Sequence, residues 1–222
     1  MAMSLTFKFK YGTVSPHLMS RHLGPRVREM RALGVDLPGL SRKSIERRPY
    51  PPGQHGPSTK RRKFSEYKVR LMEKQKLRLY YGVTERQLRN LVRLAGAQVG
   101  NTGERLVALL ESRLDNVVFR AGFARTIPAA RQLVTHGHVE IDGHRVDRPA
   151  YRVGRGERIA LRAKSRELAA VATSLVDPIT APRWLELDVA QHAVTVREVP
   201  DRTSLLVTID LRLVIEFYAQ RS

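Results

Sequence analysis

Val139-Glu140-Ile141-Asp142-Gly143-His144-Arg145-Val146 alternates in character on both sides of an Asp-Gly pair. An Asp-Gly centre predicts a two-residue hairpin, because a type I′ turn needs positive φ at both central positions. Downstream, Gly154-Arg155-Gly156 marks a turn and Arg158-Ile159-Ala160-Leu161 a third short strand. Upstream, Thr126 can cap a short helix through Val134, stopped by Gly137. Residues 111–162 therefore read as a compact helix-helix-hairpin-strand module.

Helices dominate before it. Thr102 opens one with Leu106, Leu109, Leu110, Leu114, Val117 and Val118 on a single apolar face until Gly122. Thr84-Glu85-Arg86-Gln87 is a capping box, and Leu88, Leu91, Val92 and Ala95 follow at i, i+3, i+4, i+7 up to Gly96. Ser65 can cap a helix through Tyr81 that carries Lys68, Arg70, Lys74, Lys76 and Arg78 and ends at Gly82. Residues 20–64 are rich in Arg, Pro and Gly, and no helix is expected there. Arg47-Arg48-Pro49-Tyr50-Pro51-Pro52-Gly53-Gln54-His55-Gly56 must be extended and turn-like, since proline denies helix to itself and its predecessor. Lys60-Arg61-Arg62-Lys63 follows at once. With so little apolar material, this stretch is expected to order on a partner. After the module, residues 165–176 read as a helix, with Pro178 and Pro182 beyond. Val194-Thr195-Val196 and Leu205-Leu206-Val207-Thr208-Ile209 alternate like strands, and Leu211 to Tyr218 reads as a last helix.

Charge points to the partner. Among 222 residues, 40 Lys+Arg face 21 Asp+Glu, a net of +19. Residues 1–100 hold 22 basic and 6 acidic residues, so nearly all the excess lies there. Such a density repels itself unless a polyanion neutralises it, and nucleic acid is the expected partner. The chain has no cysteine, which excludes disulfides, thiolate metal sites and a cysteine nucleophile. No apolar run approaches the length that spans a bilayer, so no membrane partner is expected.

Motifs for chemistry are scarce. No nucleophile elbow, phosphate-binding loop or dinucleotide fingerprint occurs, and the chain does not read as an enzyme. His136 and His138 are too few for a metal site without a cysteine or a suitably spaced carboxylate, so no metal or other cofactor is expected. Arg113-Leu114-Asp115 occurs in some pseudouridine synthases, but Asn116-Val117-Val118 follows here; Arg113 and Asp115 read as helix-surface and capping partners. Arg131, Gln132, His136 and His138 gather around a helix end and a strand start, where donors can meet phosphates or a groove edge. A solvated helix face with a glycine cap is the competing reading.

Taken together, Arg47–Gly56, Glu73-Lys74-Gln75-Lys76-Leu77-Arg78, Tyr81-Gly82-Val83, Leu110–Arg120, Ala130–His138 and the closing Val214-Ile215-Glu216-Phe217-Tyr218 resemble small-subunit ribosomal protein four of bacteria and organelles. The resemblance runs from about Ser20 to Ser222. The module alone is less specific, because RNA-modifying enzymes and one class of tRNA synthetase carry it. An enzyme of that kind would need a further catalytic domain, for which the remaining chain has neither room nor motif. A free regulator of messenger RNA or transcription is the other competing reading.

The resemblance implies an α+β fold: a mostly helical, discontinuous body of residues 20–110 and about 180–222, with an inserted RNA-binding module at 111–178. In that module two helices pack on a short antiparallel sheet. It implies direct binding of 16S-type ribosomal RNA, a part in early subunit assembly and in decoding accuracy, and neighbours in small-subunit proteins five and twelve. Repression of its own messenger is a possible second role in the family. The location implied is the cytoplasmic ribosome, with an organellar ribosome as the alternative. Met19-Ser20-Arg21-His22-Leu23-Gly24-Pro25 matches the family's usual start, which leaves residues 1–18 unexplained within an N-terminal extension, 1–19, of unassigned role. The cysteine-rich zinc segment of many members is missing, so no metal is carried over. Expected RNA contacts are Arg47, Arg48, Lys60, Arg61, Arg62, Lys68, Arg70, Lys74, Arg113, Arg131, Gln132, His136 and His138, with Tyr50, His55 and Tyr81 stacking on bases or riboses.

Overall fold

The computed structural model describes residues 24–57, 64–97, 99–176 and 181–220. Chain order is α1 (Arg26–Leu33), α2 (Glu66–Tyr80), α3 (Glu85–Gly96), α4 (Thr102–Glu111), α5 (Leu114–Arg120), α6 (Ile127–Thr135), β1 (Val139–Ile141), β2 (His144–Arg145), β3 (Arg158–Leu161), α7 (Ala163–Arg166), α8 (Ala169–Val176), β4 (Leu185–Asp188), β5 (Ala193–Val196), a 3-10 turn (Arg202–Ser204) and α9 (Leu211–Ala219). This is a helical protein with one small antiparallel sheet, the α+β class expected from the sequence.

Local signals act where they were read. Ser65 Oγ accepts from the Lys68 amide at 3.3 Å to start α2, and Thr84 and Gln87 form the reciprocal capping box of α3. Asp142 and Gly143 take φ of 48° and 80°, and the hairpin pairs Ile141 with His144. The last helix, α9, lies against α2, with its Glu216 carboxylate 3.2 Å from Arg70 and its Phe217 ring 5.8 Å from that of Tyr67.

Four expectations need correction. First, residues 24–57 pack on the chain itself instead of waiting for a partner. Helix α1 ends on Gly34 at φ 68°, and Met30, Leu37 and Leu40 are buried. The Gly39 carbonyl accepts from the Ile127 amide at 2.8 Å, tying this segment to α6. Second, the helix expected from Thr102 to Gly122 is broken at Ser112-Arg113. There the chain pairs sideways: the Leu114 amide donates to the Tyr151 carbonyl and the Val153 amide to the Ser112 carbonyl, both at 2.8 Å. Third, the 165–176 helix is split into α7 and α8, and residues 205–209 form no strand. Fourth, the sheet does not end with the module. Its order is β2-β1-β3-β5-β4, so two tail strands extend it, with Ile159 opposite Val194.

Gly56 holds the Pro-rich turn. A Cβ there would lie 2.0 Å from the Pro51 carbonyl oxygen, a backbone atom that cannot step aside alone. Gly56→Ala is therefore expected to cost about 1–3 kcal/mol, seen as a lower thermal midpoint and faster proteolysis within residues 47–57. An unchanged melting curve would contradict the close approach.

Candidate nucleic-acid interface

The N-terminal basic residues divide by burial. Arg31 on α1 works as a staple: its Nε donates to the Arg48 and Tyr50 carbonyls at 3.0 and 3.1 Å. Its guanidinium also lies 4.9 Å from the centre of the Tyr50 ring. The main chain is thereby held while the Arg47, Arg48 and His55 side chains remain exposed. Tyr50 is half-buried, with one ring face taken by Arg31. Lys60, Arg61 and Arg62, like residues 1–19, fall outside the described residues. Lys68 is exposed and sits 4.9 Å from the ring centre of Phe64, itself 53% exposed.

Other residues on the expected list face inward. Lys74 is only 4% exposed; its Nζ is 2.8 Å from Glu85 Oε2 and 4.7 Å from the Phe217 ring centre. Its charge clamps α2, α3 and α9 together, so it leaves the set of available contacts. Arg70 is held between Glu66 at 3.1 Å and Glu216 at 3.2 Å. Tyr81, expected to stack, is buried and donates to Glu111 Oε1 at 2.5 Å. Burial first, and the nearby Glu111 carboxylate second, push its hydroxyl well above the ordinary tyrosine range.

Arg113 is buried as well, which overturns the helix-surface reading of Arg113 and Asp115. Its Nε and Nη2 bind Asp115 at 3.1 and 2.8 Å, and Asp115 is fully buried. Arg131 joins the same carboxylate at 3.2 Å and donates to the Gly82 carbonyl at 2.9 Å. One carboxylate thus serves two guanidiniums. Burial and, against it, Asp115 act on Arg131, with Arg113 adding repulsion, and the net result is a pKa below the ordinary arginine value.

Between α6 and the sheet the donors do assemble. Gln132 and His136 are exposed, and the His136 and His138 ring centres are 6.1 Å apart. His138 Nδ1 lies 2.9 Å from Ser165 Oγ. Partial burial, then the nearby His136, Arg162 and Arg145, hold His138 below the usual imidazole range, so at neutral pH it offers hydrogen bonds instead of charge. Arg145 lies so close over Gly137 that a Cβ there would meet its Nε at 2.2 Å. No cluster of three or more metal-capable side chains occurs among the described residues.

Residues 21–111 match the family of the ribosomal protein S4/S9 N-terminal domain, and residues 112–159 match the S4 domain. The chain is 52% identical over 204 residues to small ribosomal subunit protein uS4 of Methylobacillus flagellatus, covering 91% of this chain and 100% of the relative. The chain belongs to the uS4 family. Small ribosomal subunit protein uS4B of Nitrosomonas europaea is 50% identical over 204 residues, and the uS4 of a Geobacillus species 49% over 202, each with the same two coverages. In this uS4-family chain the boundary between the two matched regions falls at residues 111 and 112, where α4 gives way to the break before α5. Glu111, Arg113 and Asp115, three of the buried charges, cluster at that junction.

The sequence pattern gives no sign of the fully buried pair Arg120–Glu111. Arg120 Nη2 is 2.8 Å from Glu111 Oε1 and also donates to the Ser204 carbonyl. Burial alone would lower the Arg120 pKa; Glu111 outweighs it and raises the value. Nothing in the apolar period marks either residue as charged core.

Proposed function

We propose that this chain is a structural component of the small ribosomal subunit that binds the subunit's ribosomal RNA directly. The observation that carries the reading is its match, over 91% of the chain and the whole of each relative at about half identity, to proteins named as small-subunit components. The exposed Arg47, Arg48, Lys68, Gln132 and His136 supply the chemistry, with His138 beside them. Lys and Arg neutralise phosphates and release counterions, and the histidine pair adds directional donors. No chemical step is asked of the protein, and its role is structural.

The finer reading follows the family. In it residues 20–110 and about 180–222 form one body with the module at 111–178 inserted, β4 and β5 of the tail joining the module's sheet, and Lys60, Arg61 and Arg62 are further RNA contacts. The chain enters the subunit early, near proteins five and twelve, influences decoding accuracy, represses its own messenger and resides on cytoplasmic ribosomes.

Binding is expected to weaken steeply with salt. Arg47→Ala/Arg48→Ala should lower the slope of log affinity against log salt by about two. Filter binding to small-subunit RNA checks this, and comigration with small subunits in low-salt gradients checks the assembly role. A chain that stays at the top of the gradient with no salt-dependent RNA binding would overturn the reading.

A further inference from the structure

A groove of about 620 Å³ opens between α3 and residues 150–152, within the roughly 300–1,000 Å³ range of sites that take small organic groups. Leu94 and Leu109 contribute to an apolar lining, and Leu94 remains 37% exposed. Asn90 supplies an amide, Arg93, Arg113 and Arg152 supply guanidiniums, and no carboxylate lines the groove. The far wall is fixed, because the Arg113 and Arg152 backbones form a bridge flanked by the two 2.8 Å amide bonds at Leu114 and Val153. Arg93 and Arg152 are exposed and have no carboxylate partner among the described residues. Beneath them, Arg113 shares Asp115 with Arg131, which leaves one positive charge unmatched.

An apolar surface bordered by an amide and several arginines, with no acid, complements a nucleotide: flat base, polar base edge, anionic phosphates. A chain of net charge +19 directs the choice to a polyanion. We propose that this groove receives one unstacked nucleotide of the bound ribosomal RNA, its base against Leu94 and Leu109 and its flanking phosphates on Arg93 and Arg152. This rests on the RNA-binding reading above and adds a contact site to it.

The test uses the full chain and small-subunit RNA, with filter binding across a salt series and ultraviolet crosslinking mapped to peptides. Crosslinks within residues 87–97 or 150–152 are expected. Arg93→Ala/Arg152→Ala should weaken binding on the order of tenfold to a hundredfold and lower the salt slope by about two. Leu94→Asp should also weaken binding, whereas Leu94→Phe should preserve it. Both arginines are exposed and unpaired, so the melting curve should not move. Wild-type affinity and slope in the double variant, while Arg47→Ala/Arg48→Ala still weakens binding, would overturn the groove and leave the function intact. Tight retention of AMP by the RNA-free chain in equilibrium dialysis would reassign the groove to a free nucleotide. Loss of all salt-dependent binding in the unaltered chain would remove the function itself.

Discussion

Arg120→Ala is expected to destabilise the protein by about 3–5 kcal/mol, because removing one partner strands the other as a buried, unpaired charge. Arg120 is 1% exposed and Glu111 fully buried. Glu111 accepts from Arg120 Nε at 3.0 Å, from Asn116 Nδ2 at 2.7 Å and from Tyr81 at 2.5 Å. Without the guanidinium, that carboxylate keeps two neutral donors and no counter-charge. The same change frees the Ser204 carbonyl and so loosens the 3-10 turn that leads to α9. A loss of this size is a large part of the roughly 5–15 kcal/mol that holds a typical domain. Urea unfolding at neutral pH measures it. Arg120→Met/Glu111→Leu should recover part of the loss, since an apolar pair leaves no orphan charge. A single-variant cost below about 1 kcal/mol would mean that water reaches the pair.

Asp115→Ala should cost about as much, for the opposite sign of charge. Among the described residues Asp115 is the one carboxylate bridging Arg113 and Arg131, and it also accepts from the Asn116 amide at 3.0 Å at the start of α5. Its removal leaves two guanidiniums facing one another in a poorly hydrated site. Arg131→Ala is expected to be several-fold milder, because the bidentate Arg113–Asp115 pair survives and the excess charge disappears. The ranking is the test: equal losses for the two variants in the same denaturation assay would show that the carboxylate is not shared.

What was legible in the sequence was local. The Asp-Gly hairpin, the Ser65 and Thr126 caps and the Thr84–Gln87 box each depend on a few neighbouring residues, and each formed as read. The missed features need partners far along the chain. The break after α4 exists because residues 149–153 come alongside, and α1 is stable because Gly39 meets Ile127 and Arg31 meets the Pro-rich turn. The candidates that turn out to face inward, Lys74, Tyr81 and Arg113, were missed in the same way. Lys74 lies three residues from both Leu71 and Leu77, on the buried stripe of α2, so helical period alone could have set it apart from Lys68. Arg113 offered no such clue, because a buried arginine is legible only once its carboxylate is placed. Arg47, Arg48 and His55 stood out because proline and glycine keep their segment from forming a helix.

The sheet order also sets a timetable. Strand β3 finds its neighbour β5 only after residues 193–196 exist, and α2 finds its cover only with α9, where Arg70 meets a glutamate 146 positions later. Contacts so distant along the chain make for slow closure. During synthesis the early helices must wait with one apolar side of α2 uncovered and the edge of β3 unpaired, conditions that favour aggregation. Residues 185–219 therefore close the uncovered side of α2 and the open edge of β3 together.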